Sequence, residues 1–180
     1  MTDEILGTPW PHAHPELLMA KELIFDPLHL SPTLPIAEPE SAEYGAFSLT
    51  INNMAARFRV AKTTPTKVGL FVTLWQRSDS GPIRPFDSSD GVDLAVVSTR
   101  QGERFGQFVF PLATLLQRGV VSQQGIGGKR AIRVYPPWVV PNNAQAKSTQ
   151  TWQVRHFLRL DAAVDLQRAT QLYRHETKDG

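Results

Sequence analysis

The sequence has no cysteine, which excludes disulfides, thiolate zinc sites and cysteine nucleophiles in one step. It has no apolar run near the roughly 18 residues that a membrane-spanning helix needs. Its opening residues, Met1-Thr2-Asp3-Glu4, lack the basic start and apolar stretch of a secretory leader. It also lacks a 20–50-residue repeat, which argues against solenoids and propellers. These absences lead to the expectation of a cytoplasmic protein with no membrane partner.

What is present suits a globular fold. The chain has 180 residues, 41% hydrophobic and 20% charged, enough for one domain with a real core. Net charge is only +2, but it is unevenly spread. Between Arg57 and Trp138 there are twelve Lys and Arg against five acids, and the remainder holds seven basic and twelve acidic residues. A basic middle between acidic flanks speaks to partners rather than to fold.

His14-Pro15-Glu16 opens a helical pattern, with Leu17, Ala20 and Ile24 on one face, that Asp26-Pro27 stops near Phe25. Four prolines between Pro27 and Pro39 make an extended connector, either an ordered strap or a loose arm. Glu38 to Glu43 is acidic and suits a short helical turn. Strand patterns follow. Phe47, Leu49 and Ile51 alternate with polar residues up to the Asn52-Asn53 turn. Phe58 and Val60 alternate with arginines, and Leu70, Val72 and Leu74 form a third run. Arg77 to Asp90 reads as a long loop. Leu94–Val97 and Gln107–Phe110 are short buried strands. A helix over Ala113–Arg118 ends at Gly119. Ile132 and Val134 alternate with Arg133 and Tyr135. A helix is expected from Asn142 or Asn143 to about Leu160, then another with Ala162, Leu166, Ala169 and Tyr173 on one face. The expected architecture is mainly β with peripheral helices, an α+β open barrel. It divides into residues 1–39 (helix and connector), 40–160 (barrel domain closed by a helix) and 161–180 (helical tail).

Period two carries the functional argument. If Phe58 and Val60 face the core, Arg57 and Arg59 share the other face. The same holds for Arg133 and Tyr135 opposite Ile132 and Val134. Lys62 and Lys67 flank a loop containing Thr64, Arg77 follows Trp75, and Lys129-Arg130 follow a glycine-rich turn. Arg forks onto phosphate and Lys acts as a point charge, hydroxyls such as Thr64 add contacts, and exposed Trp75, Tyr135 or Trp138 can stack on bases. The expected partner is therefore nucleic acid, duplex DNA first, with a protein partner left open. The competing reading pairs the arginines with neighbouring carboxylates and packs the aromatics.

Catalytic patterns are weaker. Asp87, Asp90 and Asp93 lie three apart and could hold magnesium for phosphodiester cleavage, or serve turns and caps. The carboxylate-x-lysine triplet of a restriction-type nuclease occurs only at Glu176-Thr177-Lys178, in the tail. Gly128-Lys129 fails as a Walker loop because Gln123 and Arg130 stand where Gly and Ser or Thr are required. His12, His14, His29, His156 and His175 show no ligand or triad spacing, and there is no Gly-x-Ser-x-Gly elbow. No catalytic residue, metal or cofactor is assigned, and a non-enzyme is favoured.

Four segments resemble the MepB-like family of small bacterial proteins. They are Glu40–Ala46; Phe58–Gly69 continuing through Phe71–Trp75 to Arg77; Pro85–Asp93 with Phe105–Pro111; and Gly128–Trp138. Together they cover about residues 40 to 160. The family is named for a member encoded beside a multidrug efflux pump. The resemblance implies a relation to the DNA-binding pseudobarrel, an open seven-stranded barrel with short helices whose loops and strands grip the major groove. It also leaves room for an accessory protein- or small-ligand-binding module linked to drug-efflux operons.

Overall fold

In the computed structural model, which describes residues 10–77 and 81–174, the chain is a mixed α+β protein. Its strands are β1 (Ile36–Ala37), β2 (Phe47–Ile51), β3 (Met54–Val60), β4 (Lys62–Thr63), β5 (Leu70–Thr73), β6 (Trp75–Arg77), β7 (Ile83–Pro85), β8 (Leu94–Gln101), β9 (Arg104–Pro111), β10 (Ala131–Val134) and β11 (Phe157–Arg159). The helices are α1 (Pro15–Ala20), α2 (Leu112–Gln117), α3 (Ala144–Gln153) and α4 (Leu166–Tyr173). Six strands form one sheet in the order β1-β2-β3-β8-β9-β11, three form a second in the order β10-β5-β4, and β6 pairs with β7 alone. The pairs within the main sheet are antiparallel except β3 with β8. The described strands do not close into a single barrel.

The main sheet is covered on both faces, and period two decides which residue goes where. Leu49, Ile51, Ala56, Phe58, Leu94, Val96 and Val109 point to one core, together with Leu17, Ala20, Ile24 and Phe25 from the first helical segment and Ala169 and Tyr173 from α4. Ala95, Val97, Phe108 and Phe110 point to the opposite core, shared with Leu70, Val72, Ile132 and Val134 of the second sheet and Leu115 of α2. Each fully buried Leu, Ile or Phe contributes about 1.5–3 kcal/mol.

Several sequence expectations are met and several are corrected. α1 begins at Pro15 with the His14 ring nitrogen accepting from the Glu16 amide, and its last turns widen into a π-helix over Lys21–Phe25. The proline-rich connector is an ordered strap: Thr33 N–H donates to Thr50 O, β1 pairs with β2, and Glu38 N–H donates to Ala46 O. The stretch read as a long loop from Arg77 instead pairs β6 with β7. β8 runs past Val97 because polar Ser98 and Thr99 are buried inside it, and β9 begins at Arg104, three residues before the expected start at Gln107. Gly102, at φ 62°, turns the chain between them. The helix expected to reach Leu160 stops at Gln153, and a single 3₁₀ turn leads into β11, which adds an edge strand. The tail triplet Glu176-Thr177-Lys178 lies outside the described residues. No described helix is long and apolar enough to cross a membrane.

Candidate nucleic-acid interface

Two groups of cations separate in space. The first comprises Arg57, Arg59, Lys62 and Arg77. The expectation that the non-core face of β3 is exposed is wrong for Arg59, which is 1% exposed. The second sheet covers that face: Arg59 Nε donates to Thr73 O of β5 at 3.2 Å, NH1 donates to Phe58 O at 3.0 Å, and the guanidinium lies 5.8 Å from the Phe86 ring. Glu38, at the end of the strap, is sandwiched between Arg57 Nε at 3.1 Å and Arg59 NH1. Burial pulls the Arg59 pKa below its ordinary value, and the Glu38 carboxylate opposes that shift. The same acidic segment then meets the other two, Glu43 facing Lys62 at 3.5 Å and Glu40 facing Arg77 at 3.8 Å. The carboxylate-paired reading therefore holds for these four residues, tightly for the arginines of β3 and loosely for Lys62 and Arg77. Trp75, half-buried on β6, sits opposite Pro85.

The second group gathers in a cleft of about 620 Å³ between β10 and α3. Lys67 comes from the loop before β5, Arg118 from the end of α2, Lys129 from the glycine-rich turn and Arg133 from β10; no carboxylate of a described residue lines the cleft. Arg133 is held from below, its NH1 donating to Thr64 Oγ1 at 3.0 Å and to the carbonyls of Val68 and Gly69 at 3.3 Å, with its guanidinium 5.9 Å from the Phe71 ring. That leaves its Nε and NH2 edge uncommitted to these contacts. It also makes Thr64 a positioning partner of Arg133. Buried Gln153 ties α3 to β10: its Oε1 accepts from Tyr135 N–H at 2.8 Å and its Nε2 donates to Arg133 O at 3.0 Å. Gly69 has φ +85°, and a Cβ there would fall 2.8 Å from the Tyr135 ring, so the Tyr135 wall of the cleft requires glycine. Arg130 is exposed next to the cleft and does not line it.

Sequence reasoning found Lys67, Lys129, Arg133 and Tyr135 but missed Arg118 and the opposite wall, where Asn142, just before α3, and Gln145 and Thr149 of α3 line the cleft. Asn143 was readable as a helix cap, and its Oδ1 does accept from Ala146 N–H at 2.8 Å. Nothing local shows that α3 faces the cations. Trp152 also lines the cleft, but it lies between Phe110 at 5.5 Å and the Arg118 guanidinium at 5.2 Å, so packing uses its ring.

The three aspartates are committed to structure. Asp87 accepts from Gly125 N–H at 2.9 Å, Ser89 N–H at 3.0 Å, and the Ser89 and Ser122 hydroxyls at 2.7 Å. These donors, led by Gly125, hold its carboxyl far below the ordinary value of 3.8. Asp90 pairs with Arg84 at 3.0 Å and accepts from Asp87 N–H. Asp93 accepts from Ala55 N–H at 2.8 Å. Among the described residues no three His, Asp or Glu side chains cluster as a metal site. Asp87 thus fastens the turn that presents Lys129. Because its folded pKa is depressed, its stabilisation is present above about pH 4 and is withdrawn as pH falls below that. Asp87→Asn is expected to lower Tm by several degrees at pH 7. The gap to the parent protein should narrow between pH 4 and pH 2 in thermal melts, and a gap constant with pH would contradict this role.

These features define a mixed α+β protein with a basic cleft, lined by no described carboxylate, between its second sheet and a helix. The MepB-like family model matches residues 38–159, and the chain belongs to that family. It is similar to the crystal structure of MepB, with a TM-score of 0.71 and 27% identity over 83% of this chain and 99% of that one. No curated protein matches it.

Proposed function

We propose that this chain is a nucleic-acid-binding module without catalysis, acting in the cytoplasm on a pseudobarrel scaffold. The observation that carries the reading is the convergence of Lys67, Arg118, Lys129 and Arg133 on one concave cleft that no described carboxylate lines. Four cations so placed can neutralise successive phosphates, which supplies most of the affinity of such complexes. A nuclease reading loses its candidate residues, since Asp87, Asp90 and Asp93 are engaged by the fold.

The test is fluorescence anisotropy with labelled DNA and RNA oligonucleotides between 50 and 200 mM salt. If four phosphates are contacted, affinity is expected to fall roughly 50- to 150-fold over that range. Absence of binding to every oligonucleotide at low salt would end the proposal. A second reading has its own support: Glu38, Glu40 and Glu43 already pair with four of the basic residues, and 620 Å³ is a size at which small ligands are held. A small anionic ligand bound in the same cleft with micromolar affinity by calorimetry, together with failure to bind oligonucleotides, would favour it.

A further inference from the structure

We propose that the cleft seats one unpaired nucleotide of a single strand, an inference that rests on the nucleic-acid reading and names the form of the ligand. Its two walls differ in chemistry. All four lining cations come from outside α3: Lys67, Lys129 and Arg133 from the second sheet and its loops, and Arg118 from the end of α2. The α3 side contributes uncharged hydrogen-bonding groups, with Asn142 and Gln145 exposed at its mouth. A nucleotide divides in the same way, into an anionic phosphate and a neutral base whose edges offer donors and acceptors. Carboxamides are among the side chains that can pair with such edges two bonds at a time, as they do with adenine.

Size points in the same direction. A volume of 620 Å³ corresponds to a sphere roughly 11 Å across. The major groove of B-form DNA alone is about 12 Å wide, so the double helix is too large to enter. A duplex lying across the surface would instead need an extended cationic face. The other cations on β3, β4 and β6 do not provide one, because Glu38, Glu40 and Glu43 pair with them. The fixed Arg133 guanidinium, braced by Thr64, Val68 and Gly69, supplies a rigid phosphate anchor, and the flexible Lys67 and Lys129 supply charge to either side.

The experiment compares four 12-residue probes with the full-length protein: single-stranded DNA, the blunt duplex of the same sequence, a single strand whose central nucleotides are abasic, and single-stranded RNA. Single strands are expected to bind at least tenfold tighter than the blunt duplex, and the abasic strand at least fivefold weaker than its parent. The double variant Asn142→Ala/Gln145→Ala is expected to lose about tenfold in single-strand affinity with an unchanged salt slope, because bases rather than phosphates are lost. Duplex binding equal to or tighter than single-strand binding overturns this inference and leaves the nucleic-acid reading standing. Equal binding of abasic and intact strands does the same, and it needs no variant to fold. No binding to any probe overturns both.

Discussion

Arg59→Ala should cost this fold about 3–5 kcal/mol, the range found when one partner of a buried ion pair is removed. At this chain length that is a fall in Tm on the order of 10 °C. Arg59 is almost completely buried between the two sheets, and its guanidinium satisfies the Thr73 and Phe58 carbonyls as well as Glu38. Truncation opens a cavity, strands those two carbonyls and leaves Glu38 with Arg57 alone. Two further variants separate charge from packing. Arg59→Lys keeps the charge but cannot reproduce a guanidinium fork that reaches three acceptors, so it should recover less than half of the loss. Arg59→Met combined with Glu38→Gln removes the buried charge together with that of its half-buried partner and keeps most of the volume, so it should be closer to the parent than Arg59→Ala. Thermal and denaturant melts check all three. A loss below 1 kcal/mol for Arg59→Ala would mean that Arg59 is not the buried tie between sheets described here.

Replacing Lys67, Lys129 and Arg133 together with Gln should weaken nucleic-acid binding by 100-fold or more at 50–100 mM salt, about 2.8 kcal/mol. It should also remove about 2.1–2.7 units from a salt slope of about −2.8 for single strands or −3.6 for duplex. These side chains line the surface of the cleft, so the variant should keep a near-parent melting temperature apart from the bracing lost at Arg133. The informative contrast is Lys62→Gln/Arg77→Gln. Both residues are exposed and basic and sit in the strand region that the sequence pattern marked most strongly, yet Glu43 and Glu40 face them. That pair should change affinity by less than about threefold. Equal losses from the two variants would return the interface to the strands and take it away from the cleft.

Much of the fold was legible because local pattern and burial agree. Phe47, Leu49 and Ile51 alternate inward as expected, Gly119 ends α2 at φ 69°, and Tyr173 lies on the buried face of α4 with Ala169. The tyrosine hydroxyl meets Gln107 inside the core, and desolvation pushes its pKa well above the ordinary value. The failures also have physical causes. β8 and β9 are buried on both faces, so period two does not mark their ends. β11 follows α3 after only a 3₁₀ turn because its pairing with β9 outweighs helix propensity. Arg59 looked surface-bound because arginine almost never occupies a core position unless paired, and its partner, Glu38, lies on the far side of a proline-rich strap.

The sequence by itself settled the supply of groups: no thiols, a basic central stretch, arginines at alternating strand positions, and the strings that mark a MepB-like chain. Only the tertiary structure decided which of those charges remain available. Attraction between exposed charges is about 1 kcal/mol at 4 Å in water and is largely screened beyond about 10 Å at 0.1 M salt, so the fate of each cation depends on which distant segment the fold lays beside it. The end of the strap and the 3₁₀ turn after it bring glutamates to β3, β4 and β6, whereas α3 brings uncharged amides to Lys67, Lys129 and Arg133.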